Sequence, residues 1–269
     1  MSTRARGAQR GTIGGAILIM LVIGVIGGLI FYKFSHKASK IDVTTNCPVA
    51  GPVSSTAVIF DTTDTISQIQ RLAIEQEFGE IVRQIPRFGE LSVYALGNKG
   101  EVTKADFARC NPGEAKDVDW LTEGQRLVVR RWQEGYRNPL DLVLRKMVEA
   151  TPSEKSPILE AIQAVNLQTF GPLRSGDHGP LPLRLVIVSD LLQNSDLLSL
   201  YSKIPDSKQF TQSEAYRKIR TEMRNVDVEI LLIRRQTKKG IQGQDLLKFW
   251  QELISAQNGR LVHFKPLEG

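Results

Sequence analysis

Carboxyl and hydroxyl side chains alternate directly after a short apolar run at residues 56–60. Asp61, Thr63 and Thr65 place one carboxylate and two hydroxyls at intervals of two residues. On a segment that is still extended, residues at this spacing point to the same side. The three side chains are therefore expected to converge, and such an all-oxygen set favours a hard cation.

A second carboxylate, Asp190, follows a continuous apolar run at residues 183–188. Such a run is typical of a central strand that is covered on both faces. In α/β sheets, ligands bind at the carboxyl ends of central strands. We therefore expect Asp190 to complete a cation site with Asp61, with room left for water or an external ligand.

Each of these residues also has a simpler interpretation. An Asp or Thr between a strand and a helix often caps the helix by accepting a backbone N–H, and Asp61 or Thr65 could do only that. Asp190 could likewise cap the turn after its strand. A domain that keeps the fold without the ion is thus an alternative.

The elements that must position these residues alternate between strand and helix. Apolar runs and alternating patterns predict strands at residues 56–60, 90–96, 183–188, 226–233 and 260–264, with an edge strand near 101–107. Helical spacing predicts helices at residues 66–85, 123–135, 139–150, 157–165 and 244–256, with a glycine- and proline-rich loop at 171–182. This order predicts an α/β fold with a Rossmann-like, largely parallel sheet and helices on both faces.

At the candidate site the sequence resembles the von Willebrand factor A (VWA) family and its metal-ion-dependent adhesion site. That family carries Asp-x-Ser-x-Ser after the first strand, a Thr in a loop before a helix, and an Asp after a later central strand. Asp61, Thr63 and Thr65 match the first element, with threonine at both serine positions. Ser156 in SPILEAI is similar to the family's Thr-Pro-Leu-x-Glu-Ala-Leu pattern, and Asp190 in VIVSDLL is similar to the third element.

The resemblance covers about residues 56–265 and implies a VWA-like fold with a binding function. It implies that the three hydroxyls hold a divalent ion, expected to be Mg²⁺, with the two aspartates close by. A carboxylate from a partner protein would then fill an open coordination position. One departure is Leu191, which stands where the family usually has glycine.

Motifs of common enzyme classes are not found in the sequence. There is no GxSxG elbow, no GxxxxGK[ST] loop and no GxGxxG dinucleotide fingerprint. An Asp-x-Asp phosphatase pair would need aspartate at the position of Thr63. We therefore expect a protein that is not an enzyme.

The positive charge is confined to the N-terminus. The first 40 residues contain six Lys and Arg and no acid, so they account for the whole net charge of +6. Residues 41–269 therefore sum to zero, which argues against a nucleic-acid partner.

The same N-terminal region predicts a membrane anchor. The 22 residues between Arg10 and Lys33 carry no charge, and a helix of this length covers the roughly 30 Å hydrocarbon core. A cleaved signal peptide is the alternative, but its apolar core is usually shorter. The expected organisation is a basic tail at residues 1–10, a transmembrane helix at 11–33, a juxtamembrane linker at 34–55 and a VWA-like domain at 56–269.

The flanking charges favour a cytoplasmic N-terminus only slightly, since three arginines precede the span and three lysines follow it. This orientation places the domain outside the cytoplasm, for example in a periplasm. Cys47 and Cys110 could pair in such an oxidising compartment, or both could be unpaired. Glycines four residues apart in the span, such as Gly24 and Gly28, permit a homo-oligomer.

The expected function is therefore that of a single-pass membrane protein whose domain recognises a protein partner through a divalent ion. The alternative is a metal-free scaffold subunit of a membrane or envelope complex, which would assemble through the glycine-rich span and residues 117–150. The sequence leaves the choice open.

Overall fold

The computed structural model describes the chain except for residues 1–4, 36–39, 97–103, 115–116, 118–123, 148–152, 176–178, 239 and 269. In the first helix, side chains are described only at residues 15 and 18–32. The start of the predicted basic tail and part of the predicted edge strand therefore lie outside the described residues.

Helix α1 spans Ala5–Ser35. The described apolar side chains along it, such as Leu21, Ile23 and Phe31, are exposed. Across the described part of the chain, no helix is found to combine the length and the apolar character that a membrane crossing requires.

Six strands form one sheet in the described part of the chain: β1 (Ser55–Asp61), β2 (Glu90–Leu96), β3 (Phe107–Cys110), β4 (Leu183–Ser189), β5 (Val226–Ile233) and β6 (Arg260–Leu267). Their order across the sheet is β3-β2-β1-β4-β5-β6. All neighbouring pairs are parallel except β2 and β3, which are antiparallel. The predicted largely parallel α/β sheet is confirmed.

Eight further α-helices connect or flank the described strands: α2 (Gln68–Gln84), α3 (Gln125–Trp132), α4 (Asn138–Met147), α5 (Ile158–Val165), α6 (Gly171–Ser175), α7 (Ser207–Thr211), α8 (Glu214–Ile219) and α9 (Gln244–Ala256). A π-helical turn, Gln133–Arg137, joins α3 to α4, and another, Asn166–Phe170, joins α5 to α6.

Alternate residues of β1 enter two different cores because successive side chains of a strand point to opposite faces. Ala57 and Ile59 pack in the core that contains side chains of α5, α8 and α9. Val58 and Phe60 pack in the core that contains side chains of α2 and α4. Helices therefore cover both faces of the sheet, as the sequence predicts.

Local signals explain where α2 begins. Ser67 accepts a hydrogen bond from the Gln70 N–H, and the Gln70 side chain accepts one from the Ser67 N–H, both at 3.1 Å. This reciprocal capping satisfies two donors that a helix start leaves unpaired. The helix then buries Ile74, Phe78 and Ile81 on one face.

Two predicted elements differ from the structure. The edge strand was expected near residues 101–107, but β3 begins at Phe107 and pairs with β2 in a register that sets Cys110 opposite Glu90. The predicted loop at residues 171–182 begins with α6, because the helix of α5 continues through the π-helical turn.

Cys47 and Cys110 form a disulfide bond across 63 residues of sequence. Beside it, the Cys110 N–H donates a hydrogen bond of 2.8 Å to the Thr45 carbonyl. The end of the linker is thus covalently joined to β3, at the amino-terminal side of β1 and β2.

Candidate functional site

The candidate site lies where the strand order reverses. From β1 the chain crosses to β2 on one side, whereas β4 lies on the other side of β1. In open α/β sheets, the carboxyl ends of the strands at such a reversal form a crevice that binds ligands. Asp61 is the last residue of β1, and Asp190 directly follows β4.

The Asp61 carboxylate accepts hydrogen bonds from three hydroxyl groups. Thr63 Oγ1 donates to Oδ1 at 2.5 Å, and the Thr63 backbone N–H donates to the same oxygen at 3.2 Å. Ser156 Oγ and Ser189 Oγ donate to Oδ2 at 2.9 and 2.8 Å. All four residues are buried, so three distant stretches of the chain meet at one carboxylate.

A two-way backbone bridge holds Ser156 in place. The N–H of Ser156 donates to the Asn194 carbonyl and the N–H of Asn194 donates to the Ser156 carbonyl, both at 2.8 Å. Asn194 belongs to the loop after β4, so this loop and the segment before α5 are fixed to each other. The bridge explains how a residue far from β1 in sequence reaches Asp61.

Asp190 is held by donors on both carboxylate oxygens. Leu192 N–H donates to Oδ1 at 2.9 Å, and Arg235 Nε donates to Oδ2 at 3.2 Å. The Asp190 carbonyl accepts a further hydrogen bond from Gln242 Nε2 at 3.0 Å. Gln242 also accepts from the Arg235 N–H at 2.7 Å, which ties the segments after β4 and β5 together.

The surroundings raise the pKa of Asp190 above its ordinary value. Burial is the largest cause and the negative charge of Asp61 is the next. The Leu192 N–H and the positive charge of Arg235 act in the opposite direction, and Asp64 raises the pKa further. Asp61 and Asp190 are therefore close enough for their charges to interact, as expected for two carboxylates of one site.

Leu191 has the backbone conformation that glycine favours. Its φ is 62°, in the left-handed region, although its side chain is fully buried in the core. Its carbonyl accepts a hydrogen bond of 3.0 Å from Trp250 Nε1. The loop after Asp190 thus turns in the left-handed conformation without glycine, and burial of the leucine side chain offsets part of the cost.

Thr65 was also predicted to belong to the site, but no described hydrogen bond joins its side chain to the Asp61 carboxylate. The three-residue convergence depended on an extended segment, but β1 ends at Asp61 and Thr65 is exposed. Its backbone carbonyl accepts a hydrogen bond from Arg235 Nη1. Thr65 therefore contacts the rim of the site through its backbone.

Arg235 was not predicted as part of the site. It follows β5, which neighbours β4, and its guanidinium contacts the Asp190 carboxylate and the Thr65 carbonyl. It also lies 3.8 Å from Asp64 Oδ2. The available sequence signal was its position two residues beyond the third central strand.

Tyr201 also faces this group of charges. Burial raises the pKa of Tyr201 to about 12, and the negative charges of Asp190, Asp64 and Asp61 contribute, in that order. The ammonium group of Lys238 lies 4.9 Å from the centre of the Tyr201 ring. The rim therefore combines acidic, basic and aromatic side chains.

Among the described residues, no group of three or more His, Cys, Asp or Glu side chains is arranged to hold a metal ion. Hydroxyl oxygens lie outside that set of side chains, and they contribute to the candidate site. The observed donor set consists of two buried carboxylates and the hydroxyls of Thr63 and Ser156, and oxygen sets of this kind fit a hard divalent cation.

No protein-family model matches the chain, and a search among curated proteins finds no relative. Among solved structures, the chain is similar to the SpRpn10 VWA domain, with 12% identity, a TM-score of 0.38 and coverage of 80% of this chain and 89% of that one. It is also similar to an aerotolerance-related membrane protein from Bacteroides fragilis NCTC 9343, solved with multiple mutations to serine. That match has 10% identity, a TM-score of 0.32 and coverage of 80% and 92%.

Proposed function

We propose that this protein is a membrane-anchored, VWA-like binding domain that recognises a protein partner through a divalent ion, expected to be Mg²⁺. The observation that carries the proposal is the convergence of three hydroxyl groups on Asp61, next to the buried Asp190. Thr63 and Ser156 would hold the ion through their hydroxyls, and the resemblance adds Thr65. When bound, the ion would supply a positive charge that attracts a carboxylate of the partner.

Electrostatics supports an ion at this position. Two buried carboxylates that raise each other's energy are costly unless a positive charge compensates them. With neutral hydroxyls as its direct ligands, the ion would keep an open coordination position that an acidic side chain from outside could fill. An acidic segment of a protein partner is therefore the expected ligand.

The sequence supports binding over catalysis. It carries no GxSxG elbow, no GxxxxGK[ST] loop and no GxGxxG fingerprint, and Thr63 stands where an Asp-x-Asp phosphatase pair would need aspartate. We therefore propose that the protein is not an enzyme.

A second candidate is a metal-free scaffold with the same fold. It is favoured by the ion pair between Arg235 and Asp190, in which a positive charge from the chain itself already compensates the second carboxylate. In that case Arg235 permanently takes the electrostatic role of the ion, and partner binding is independent of divalent cations.

Two features support the proposed membrane anchor and its orientation. The uncharged run of 22 residues is long enough to span a bilayer, and the described apolar side chains at residues 18–32 are exposed. The disulfide between Cys47 and Cys110 is of a kind that persists in oxidising compartments. We therefore propose that the domain lies outside the cytoplasm, as in a periplasm.

The glycines of the span support association of two copies. A Cβ atom added at Gly24 or Gly28 would meet nothing within 4 Å, and small residues four apart allow two helices to approach closely. Cross-linking of the full-length protein in detergent should detect a dimer that Gly24→Leu weakens.

The metal claim is tested by the melting temperature of the full-length protein in detergent, with Mg²⁺ and with EDTA. Mg²⁺ should raise the melting temperature of the wild type and leave that of Asp61→Ala unchanged. Asp227→Asn is the control, because Asp227 pairs with Arg260 at the opposite end of the sheet. An equal response of wild type and Asp61→Ala would favour the metal-free scaffold.

The topology is tested with a membrane-impermeant maleimide on cells whose plasma membrane is intact. A cysteine introduced at the exposed Asp196 should be labelled from outside, whereas a cysteine at Ser2 should react only after lysis. The reverse labelling pattern would place the domain in the cytoplasm.

A further inference from the structure

Arg235 lies among the acceptors at the rim of the candidate site. Its Nε donates to Asp190 Oδ2 at 3.2 Å and its Nη1 donates to the Thr65 carbonyl, while Asp64 Oδ2 lies 3.8 Å from Nη2. Only 14% of the Arg235 side chain is exposed, compared with 46% of Asp64. A positive charge of the chain itself is thus seated against the second carboxylate of the site.

We propose that the Arg235 guanidinium is a tethered cation that competes with a divalent ion for Asp190, so that only one of the two occupies the site at a time. This inference rests on the proposed metal-dependent function and adds its regulation. In the arginine-bound state the site is closed to the ion, and release of Arg235 opens it.

Mutual exclusion follows from charge and geometry. Two cations within a few ångströms of one buried carboxylate repel each other strongly, because little water separates them. In the arginine-bound state Arg235 Nε donates to Oδ2 of Asp190 and Leu192 N–H donates to Oδ1, so each oxygen has a donor. An ion that draws charge from Oδ2 would therefore weaken the hydrogen bond that holds the guanidinium.

The structure allows Arg235 to leave without unfolding the loop. Its backbone N–H is fixed by the Gln242 side chain at 2.7 Å, and Gln242 also donates to the carbonyls of Asp190 and Ile233. These bonds do not involve the guanidinium. Rotation of the Arg235 side chain towards the half-exposed Asp64 would therefore open the site while the backbone stays in place.

The competition predicts a weakened apparent affinity for the ion in the wild type. When only a fraction of molecules is competent to bind, the apparent dissociation constant is the intrinsic value divided by that fraction. Titration calorimetry of the full-length protein in detergent should show that Arg235→Gln binds Mn²⁺ about tenfold or more tightly than the wild type does.

Arg234→Gln is the matched control for simple loss of a positive charge. Arg234 precedes Arg235, but its side chain contacts the Gln242 carbonyl and lies 3.5 Å from Glu268. Its replacement should change the Mn²⁺ dissociation constant less than twofold. A tightening as large as that of Arg235→Gln would mean that long-range repulsion explains the effect, which would overturn the inference.

A measurement on the wild type avoids dependence on a variant that fails to fold. The Nε–H resonance of Arg235 should exchange slowly with water in EDTA, because it is bonded to Asp190. Saturating Mg²⁺ should move this resonance and speed its exchange. An unchanged resonance at saturation would overturn the inference.

The outcomes separate the inference from the proposed function. Equal Mn²⁺ affinity of wild type and Arg235→Gln would overturn the competition and leave metal-dependent binding standing. Binding by Arg235→Gln alone would support the competition and show that arginine has replaced the ion in the wild type. If neither the wild type nor Arg235→Gln binds Mn²⁺, both the competition and the metal-dependent function are overturned.

Discussion

The Ser156 hydroxyl donates a hydrogen bond of 2.9 Å to Oδ2 of Asp61, across 95 residues of sequence. Ser189 donates to the same oxygen at 2.8 Å from the neighbouring strand. The two serines therefore make the same contact with the same atom. They differ in two ways: Ser189 Oγ also accepts a hydrogen bond of 2.9 Å from the Leu191 N–H, and the proposed ion would be held by Ser156 and not by Ser189.

This difference gives a matched pair of substitutions, Ser156→Ala and Ser189→Ala. Each removes a donor from a buried carboxylate, so each should lower the free energy of unfolding in EDTA by ~1–3 kcal/mol. Only Ser156→Ala should also reduce the rise in melting temperature that Mg²⁺ produces. If both variants keep the full Mg²⁺ response, the ligand role of Ser156 is wrong.

Substitutions at Leu191 test the left-handed conformation after Asp190. Both Leu191→Ala and Leu191→Gly lose a fully buried side chain, which typically costs ~2–5 kcal/mol. At a φ of 62°, however, alanine keeps the steric cost that glycine avoids, a difference of ~1 kcal/mol. In urea denaturation, Leu191→Gly should therefore be more stable than Leu191→Ala. The opposite order would mean that residue 191 does not have the left-handed conformation in solution.

The disulfide between Cys47 and Cys110 predicts a measurable contribution to stability. Its removal in the double variant Cys47→Ser, Cys110→Ser should lower the free energy of unfolding by ~2–4 kcal/mol, because the unfolded chain is no longer cross-linked. Mass spectrometry of the denatured, non-reduced protein after maleimide treatment should find no labelled thiol. Two labelled thiols in the wild type would contradict the pairing.

Glu90 predicts a pH dependence at the end of the sheet away from Asp61. Burial raises the pKa of Glu90 above its ordinary value of 4.5, and the hydrogen bond from Ser55 opposes this only in part. A pKa that is higher in the folded than in the unfolded chain means that folding favours the protonated form of Glu90. The stabilisation is complete below pH 4.5 and is lost as the pH rises through the folded value.

The variant Glu90→Gln should therefore be compared with the wild type by urea denaturation between pH 4 and pH 7. The wild type should lose stability relative to Glu90→Gln as the pH rises. A difference that stays constant across this range would show that the pKa of Glu90 is not raised.

The sequence predicts the central strands and the long amphipathic helices well. Residues 226–233 were predicted with the bounds of β5 and residues 244–256 with those of α9. Apolar residues that first alternate with polar ones and then run together favour a strand, and a helical repeat of apolar residues favours a helix. Short elements such as α7 were missed, since five residues carry too little periodicity. The register of β3 depends on pairing with β2, which a local pattern does not encode.

In the candidate site too, the sequence predicts features that a local pattern encodes and misses those that depend on the packing of the strands. Asp61 and Asp190 were found because they follow apolar runs, and the structure brings their charges close together. The extension of the site to Thr65 depended on how far β1 remains extended, and the strand ends earlier. Arg235 was missed because its contact with Asp190 follows from the neighbouring positions of β4 and β5.

The disulfide also fixes where the linker meets the domain relative to the candidate site. Cys110 lies opposite Glu90, and Glu90 lies opposite Ser55, so the cross-link marks the pole of the domain where β1 begins. Asp61 lies at the other pole, about 20 Å further along the seven residues of this strand. The linker is therefore fastened to the domain at the end of β1 that is remote from the candidate site, so the cross-link and the site lie at opposite ends of the central strand.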